Sequence, residues 1–303
     1  MANVLVTGGA GFIGSHVVDR LLAQNHKVVV VDNLCAGSWD NLPQSDLIKF
    51  YQNDISKDDL EPIFQSENVD FCIHLAAQTS VVSSSINPVF DADVNILATI
   101  KLLQLCKKYE VKKFVTASSA AVYGAPKYLP VDEAHPTEPI SYYGLSKLVM
   151  EKYVQMSGVP YVIFRFSNAY GLRQKSSKEG GVVAIFSQAM LNDEEIVIYG
   201  DGSQVRDFIC VDDIALVCEK SLFADLKNEI VNFSFNKGIT VNELFEKMKK
   251  IYGYSKNAKY LPVRVEEIQA SVLSNNKIMK FFPDLTLCNI EYGLFVLKNE
   301  TSF

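Results

Sequence analysis

The sequence predicts an α/β fold: a doubly wound parallel sheet with a smaller α/β domain toward the C-terminal end. Three observations predict it. Short β-branched runs alternate with amphipathic segments through the first half of the chain, the pattern of right-handed βαβ units. Runs such as VVVV at 28–31 are apolar at consecutive positions, which suits strands buried on both faces. A glycine-rich turn, TGGAGFIG, joins the first such run to the first amphipathic segment.

The elements follow in order. NVLVTG reads as a strand, Ile13 to Gln24 as a helix and KVVVVD as a strand. LIKFYQND is a shorter strand and KDDLEPIFQS a helix. VDFCIHLAA is a strand, Asp91 to Tyr109 a long helix, KKFVTASS a strand, Tyr143 to Met156 a helix and YVIFRF a strand. Beyond Asn168 the texture changes: GLRQKSSKEGG is a polar loop, VVAIFSQAML a helix and IVIYGDG a strand and turn. VDDIALVCEKSLF is a helix, IVNFSF a strand, and Val241 to Ile251 the one clear helix of the tail. No linker, repeat or low-complexity stretch divides the chain. The expected division is a first domain of 1–167, with 208–235 returning to it, and a second of 168–207 and 236–303.

Composition narrows the function classes. The 303 residues suffice for one large domain or two coupled ones. A net charge of −6 argues against a general binder of nucleic acid or membrane surfaces. The cysteines Cys35, Cys72, Cys106, Cys210, Cys218 and Cys288 form no C-x-x-C pair, and most lie in apolar runs. They read as thiols in a reducing compartment, not as disulfides or metal ligands. No apolar run approaches a membrane span. MANVLVTGG lacks the basic and apolar regions of a signal peptide, so the expected location is the cytoplasm.

The glycine turn carries the first chemistry. Gly8, Gly11 and Gly14 are spaced three apart between a strand and a helix. Glycines there let backbone N–H groups approach a pyrophosphate at a helix N-terminus. The spacing is G-x-x-G-x-x-G, not G-x-G-x-x-G, and place in a βαβ unit gives it weight. Asp32 ends the second strand, 18 residues after Gly14. A carboxylate there accepts hydrogen bonds from a ribose 2′-OH and repels a 2′-phosphate, which selects NAD over NADP. The first domain is therefore expected to be a Rossmann-type NAD domain.

The second piece is ISYYGLSK. Tyr143 and Lys147 are four apart and share a helix face, whereas Tyr142 is five from the lysine. A phenol near pKa ~10 needs help to act as a base at neutral pH. A nearby ammonium and a cationic nicotinamide would both favour the phenolate. TASSAAVYG, about 24 residues upstream, offers a serine at a strand end to share a hydrogen bond with a substrate hydroxyl. Alone, a Tyr/Lys pair is usually a surface pair; the glycine turn and the serine make the set specific.

With these motifs in hand, the chain resembles a known family. TGGAGFIG, VDNL, HLAA, SSAAVYG, YGLSK, FRFSNAYGLRQ and GDGSQVRDFICVDDIA stand in the order of the extended short-chain dehydrogenase/reductases. Within these it is most similar to the NAD-dependent nucleotide-sugar epimerases of the UDP-glucose 4-epimerase type, over roughly residues 2–282. The resemblance implies that Gly8, Gly11, Phe12 and Ile13 cradle the pyrophosphate of NAD. It implies that Asp32 and Asn33 hold the adenosine ribose, that Asp54 and Ile55 frame the adenine, and that Leu75, Ala76, Ala77 and Asn95 line the cofactor groove. Ser119 matches the catalytic serine, Tyr143 the base and Lys147 the residue on the nicotinamide ribose. Asn168 matches a residue that hydrogen-bonds the sugar nucleotide. Arg206 and Arg264 match two arginines that grip the diphosphate, a role suited to the fixed guanidinium fork. Glu267 stands where an acidic residue holds the uridine ribose, and Val182 and Tyr199 fall near the base. The family dimerises through two helices per subunit, here 94–109 and 145–156, so a homodimer is expected. No metal is expected.

The reaction is read from the site, since the fold hosts several chemistries. Related 4,6-dehydratases carry Thr-Asp-Glu around the serine, and related decarboxylases a glutamate. This chain has Ala120 and Ala121 beside Ser119. Both rival reactions lose their acid, and a 4-epimerase needs none. The expected activity is epimerisation at C4 of a UDP-hexose through a transient 4-keto sugar. The resemblance implies that the residue seven after the diphosphate arginine walls the pocket for the C2 substituent; here it is Ser271, small enough to admit an N-acetyl group. The alternatives are a decarboxylase, dehydratase, 2-epimerase, 5-epimerase or reductase of the same family, or a non-catalytic NAD sensor. The chain departs from the family at Leu273, Ser274 and Asn275, where alanine and aspartate are usual, and lacks a tryptophan in its tail.

Overall fold

A computed structural model describes residues 1–176, 180–263 and 268–301. The chain runs β1 (Asn3–Thr7), α1 (Phe12–Ala23), β2 (Lys27–Val31), β3 (Ile48–Tyr51), α2 (Glu61–Glu67) and β4 (Phe71–His74). Next come α3 (Val81–Ile86), α4 (Pro88–Ala92), a π-helical turn (Asp93–Leu97) and α5 (Ala98–Lys108). β5 (Lys113–Ser119), a 3₁₀ turn (Ala120–Tyr123), α6 (Tyr142–Met156) and β6 (Tyr161–Phe166) follow. The remainder is β7 (Asn168–Tyr170), α7 (Val182–Leu191), β8 (Val197–Tyr199), β9 (Val205–Cys210), α8 (Val211–Phe223) and β10 (Glu229–Phe233). It ends with β11 (Gly238–Thr240), α9 (Val241–Tyr252), β12 (Lys259–Leu261), β13 (Ala270–Ser271), α10 (Asn276–Phe281) and α11 (Ile290–Thr301).

The chain forms two compact units. The first comprises Met1–Gly124, Pro136–Arg165 and Ile214–Val231. Its sheet has the order β3-β2-β1-β4-β5-β6-β10. The β1–β2, β1–β4, β2–β3 and β4–β5 ladders are all parallel. This is the expected doubly wound α/β fold. The strand order reverses between β1 and β4, the point where such sheets open a crevice beyond their strand ends. β1, β2 and β4 are almost entirely buried, which explains their unbroken apolar runs. One core cluster packs Leu102, Cys106 and Val154 against Leu5, Cys72 and Phe114.

The long helix expected from Asp91 to Tyr109 is two helices joined by the π turn. A π turn inserts a residue into the helical ladder and is common at functional sites. Periodicity alone does not reveal such an insertion.

The second unit comprises Ala125–His135, Phe166–Asp213 and Asn232–Phe303. β9 lies between antiparallel β11 and parallel β13, and also pairs with β7. Its core sets Phe186, Leu244, Met248 and Leu294 around Tyr170 and Phe208. The segment 125–135 groups here, not with the first domain as the sequence suggested. The Val131 amide donates to the Val272 carbonyl at 2.8 Å, and the Ser274 amide donates to the Val131 carbonyl at 2.7 Å. The stretch that returns to the first unit is Ile214–Val231, shorter than the expected 208–235. The tail holds two further helices, α10 and α11, where the sequence carries only weaker signals. Gly293 in α11 lowers helix propensity, yet a Cβ there would stand 2.1 Å from the Tyr170 hydroxyl. Close packing sets that residue.

Candidate active site

The β1–α1 turn is built as an anion cradle. Gly8 sits at φ +70°, and a Cβ on it would lie 2.6 Å from the Ala76 amide nitrogen. A Cβ on Gly14 would lie 2.0 Å from the Gly8 carbonyl oxygen. Only glycine fits either place. Gly11 is the N-cap of α1, no side chain caps that end, and its first turn carries no acid. Phe12 and Ile13 open the helix there. Uncapped N–H groups at a helix N-terminus without a competing carboxylate fit a pyrophosphate.

Asp32 closes the cradle. Its Oδ2 accepts from the Ala10 amide at 2.9 Å and its Oδ1 from the Leu34 amide at 2.8 Å. Each carboxylate oxygen has a further lone pair, so capacity remains for a ribose hydroxyl. Asn33 Nδ2 donates to Asp54 Oδ2 at 3.2 Å, so these two members of the set sit together. Burial pushes Asp54 up, but hydrogen bonds from Ser56, Asn33 and Lys57 outweigh it and draw the carboxyl down to about 2. Ile55 is buried in the core cluster of the unit. The Leu75 amide donates to the Thr7 carbonyl at 3.0 Å, and the Ala76 amide to Thr7 Oγ1 at 3.3 Å. This holds partly exposed Leu75, Ala76 and Ala77 beside the glycine turn. Residues of the turn, the β2 end and the β4 end thus fit an adenine dinucleotide with an unphosphorylated ribose.

Asn95, expected to line the cofactor groove, also braces the protein around it. It is buried, and its side chain is spent on the protein. Its Oδ1 accepts from the Gln78 amide at 2.9 Å. Its Nδ2 reaches the Gln78 carbonyl, Asp91 Oδ1 and Ser146 Oγ at 3.0–3.1 Å. It brackets the loop after β4 to α6.

Ser119 ends β5 and caps the 3₁₀ turn, its Oγ accepting from the Ala121 amide at 3.1 Å. α6 begins at Tyr142 behind the N-cap Ser141. Helical spacing turns Tyr142 outward, at 52% exposure, and Tyr143 inward to a hydrogen bond with Ser119. Burial raises the Tyr143 pKa; Ser119 opposes this and the Asp91 charge adds to it. Lys147 is 6% exposed, and its Nζ donates to the Ala117 carbonyl at 3.1 Å. The Nζ stands 5.9 Å from the centre of the Tyr143 ring. Burial lowers the lysine to about 8, opposed by Asp91 and Glu151. Serine, phenol and ammonium therefore form one cluster, in which burial favours the protonated phenol.

A buried network beneath this cluster was not signalled by any motif. Arg165 Nε and Nη2 donate to Glu151 Oε1 and Oε2 at 2.9 and 2.6 Å. Arg165 Nη1 donates to the Tyr123 hydroxyl at 2.9 Å, and Ser118 Oγ donates to Glu151 Oε1 at 2.5 Å. Glu151 lies four after Lys147 and Ser118 just before Ser119, so spacing from those residues was the available clue.

In the second unit, Arg206 lies on β9 with Ser271 as its direct partner on β13. Its Nη1 donates to the Val205 carbonyl at 2.9 Å. Asn168 Nδ2 donates to the carbonyl of Asp207 at 3.0 Å. Asn168, Arg206 and Ser271 are thus gathered around one strand. Val182 opens α7, and Tyr199 ends β8, its carbonyl accepting from Gln204 Nε2 at 3.0 Å. Arg264 and Glu267 lie outside the described residues. Leu273 and Asn275, two of the three departures from the family pattern, are buried and bonded within the unit to Asp207 and Ser234.

Comparison with known proteins agrees with this geometry. The family model of the NAD dependent epimerase/dehydratase family matches residues 4–233. The UDP-glucose 4-epimerase of Mycolicibacterium smegmatis is 36% identical over 283 residues, covering 91% of this chain and 90% of that one. The crystal structure of a Thermotoga maritima UDP-glucose 4-epimerase with UDP-glucose superposes with a TM-score of 0.95 at 39% identity, covering 99% of this chain and 98% of that one. A Methanobrevibacter ruminantium UDP-N-acetylglucosamine 4-epimerase, in complex with UDP-N-acetylmuramic acid, gives a TM-score of 0.93 at 35% identity, covering 98% and 97%.

Proposed function

The chain belongs to the NAD dependent epimerase/dehydratase family, and from that premise we propose that it inverts C4 of a UDP-hexose, interconverting UDP-glucose and UDP-galactose. The observation that carries this reading is the Ser119–Tyr143–Lys147 cluster with Ala120 and Ala121 beside it. A proton acceptor, a hydrogen-bond partner and an ammonium are present, and the acid that elimination or decarboxylation would use at that place is not.

Gly8, Gly11, Phe12, Ile13 and Gly14 hold the pyrophosphate, and Asp32 with Asn33 the adenosine ribose. When bound there, NAD⁺ would supply hydride acceptance from C4, hydride return and a positive charge that favours the Tyr143 phenolate. Tyr143 then takes the proton of the sugar 4-hydroxyl while Ser119 shares the hydrogen bond. Lys147 holds the nicotinamide ribose and steadies the phenolate. Arg206 holds the diphosphate while the sugar turns, and Tyr143 returns the proton to the 4-oxygen. Asn168 positions the sugar nucleotide, and Val182 and Tyr199 flank the base. Ser271, short and paired with Arg206, leaves room for an N-acetyl group, so N-acetylated UDP-hexoses are substrates as well.

The test is incubation of the purified protein with a panel of nucleotide sugars, without added cofactor, scored by NMR. UDP-glucose and UDP-galactose should interconvert, and UDP-N-acetylglucosamine should turn over. Net consumption of NADH with a keto sugar would favour a reductase instead.

The apolar outer face of the first unit's helices supports a homodimer. Leu97, Leu145, Tyr153 and Met156 are all exposed, Met156 at 83%, and leaving such a face in water is costly. Leu97→Glu should convert a dimer to a monomer in a sedimentation experiment; an unchanged mass would remove the proposal.

A further inference from the structure

The last residues of β5 are latched to one face of α6. Tyr143, Lys147 and Glu151 are four apart and share that face. Lys147 Nζ donates to the Ala117 carbonyl at 3.1 Å, and Ser118 Oγ donates to Glu151 Oε1 at 2.5 Å. Ser119, the next residue, presents the hydroxyl assigned to the sugar. Glu151 is fully buried, and Ser118 and Arg165 are each 4% exposed. Arg165 comes from β6, the strand beside β5, and its fork fills the rest of the carboxylate, Nε on Oε1 and Nη2 on Oε2. Its Nη1 donates to the Tyr123 hydroxyl at 2.9 Å, in the 3₁₀ turn that follows Ser119. Its guanidinium carbon stands 4.8 Å from the centre of the Tyr123 ring. The strand before Ser119 and the turn after it are thus tied to one carboxylate, and that carboxylate rides on the helix of Tyr143 and Lys147.

Stability does not account for this arrangement. A buried ion pair exchanged for apolar residues of similar volume is often neutral or stabilising. What a two-pronged, fully hydrogen-bonded pair adds is fixed geometry. Rotation of α6 about its axis, or a slide along β5, would break the Ser118 bond and open the fork together. We propose that Glu151 is a positioning residue of the active site: through Ser118 and Arg165 it locks α6 against the end of β5, so that the Tyr143 phenol and the Ser119 hydroxyl stay aligned on the sugar. This rests on the roles given to Ser119 and Tyr143 above. Glu151 moves no proton itself; it acts through those two groups. A misplacement of about 1 Å can cost about a hundredfold in rate, so the loss of one bond in this clamp is felt in kcat.

Ser118→Thr and Ser118→Val test it as a pair. The two side chains have nearly the same shape, so the strain of the added methyl group is common to both. They differ in the hydroxyl that meets Glu151. Both are assayed as purified holoenzyme, below the melting temperature of either, on the nucleotide sugar that the wild type turns over. Ser118→Val should show a kcat about tenfold below that of Ser118→Thr, with KM within about twofold and equal NAD content. The enzyme is also labelled with ¹³Cζ-tyrosine, and the Tyr143 resonance is assigned by its loss in Tyr143→Phe. That resonance should keep its wild-type position in Ser118→Thr and be displaced in Ser118→Val. A structural role would lower the melting temperature of Ser118→Val and leave kcat and the resonance equal in the two variants. Equal kcat, or an unmoved Tyr143 resonance, overturns the proposal. If Ser118→Val does not fold, Tyr123→Phe decides: it frees the outer end of the clamp and should lower kcat about threefold at unchanged KM. A wild-type kcat in that variant overturns the proposal as well. The tyrosine resonance reads alignment without any turnover, so it stands apart from the reaction assignment, which fails separately if Tyr143→Phe retains activity.

Discussion

Asp32 in the first unit and Asp207 in the second do similar structural work by different routes. Asp32 accepts from the amides of Leu34 and Ala10, a neighbour and the adjoining turn. Asp207 accepts from the amides of Phe235, Asn236 and Leu273, 28, 29 and 66 residues away. The first route is a set of local turns at strand ends, where backbone conformation places each group. The second is a clamp between distant segments. The contrast teaches that the cofactor side is set by glycine and helix geometry, while the substrate-side residues depend on long-range closure around β9.

The largest effect should fall on the catalytic helix. Tyr143→Phe should lower kcat by about a thousandfold or more with the melting temperature unchanged, since it removes the proton acceptor. Tyr142→Phe should stay within about twofold, as its side chain faces outward. Equal losses in the two variants would break the assignment by helical spacing. Gly8→Ala comes next. It forces a left-handed residue and a clash with Ala76, and should cost about 2 kcal/mol or more. The purified variant should have lost its NAD, read from its absorbance spectrum. Normal NAD content would show that the turn is not the cradle. Arg206→Leu should raise KM for the sugar nucleotide about ten- to a hundredfold, the worth of one charged hydrogen-bonded contact. It should leave bound NAD in place, which separates the two regions cleanly.

The smallest effect is on pH. Burial pushes the Asp207 carboxyl from 3.8 up to about 7 against the pull of the backbone amides. A group raised in the folded state stabilises below its unfolded value, and that stability is lost as pH rises through the folded one. The second unit should therefore loosen between about pH 4 and pH 7. Asp54 has the opposite sign: its contribution is present above about 4 and lost as pH falls through about 2. Hydrogen exchange corrected for intrinsic rate should show the Phe235 and Leu273 amides losing protection over the first window while β1 does not. Parallel behaviour of the two regions would remove the distinction.

The same contrast explains what was legible in the sequence. Strand and helix order in the first unit is written in local apolar patterns, and Gly8, Asp32 and Tyr143 sit at spacings that local geometry dictates. The π turn at Asp93–Leu97 was hidden, because one inserted residue barely disturbs a helical pattern. Asp91 and Arg165 were hidden for another reason. Their meaning lies in burial and in side-chain partners, Gln78 and Asn95 for Asp91 and Glu151 and Tyr123 for Arg165, and a single charged letter looks the same on a surface. The grouping of 125–135 with the second unit rests on Val131 meeting Val272 and Ser274, contacts that no local pattern announces. The resemblance assigns Asn95 to the cofactor groove; the bonds of its side chain to Gln78, Asp91 and Ser146 were not legible from it.

The account's central claim is hydride removal and return at C4, with Tyr143 moving the proton. UDP-glucose carrying deuterium at C4 tests it most directly. Followed by NMR in ordinary water without added cofactor, the product UDP-galactose should retain the deuterium at C4. Loss of the label to solvent, with a proton appearing at C4 of the product, would contradict the account.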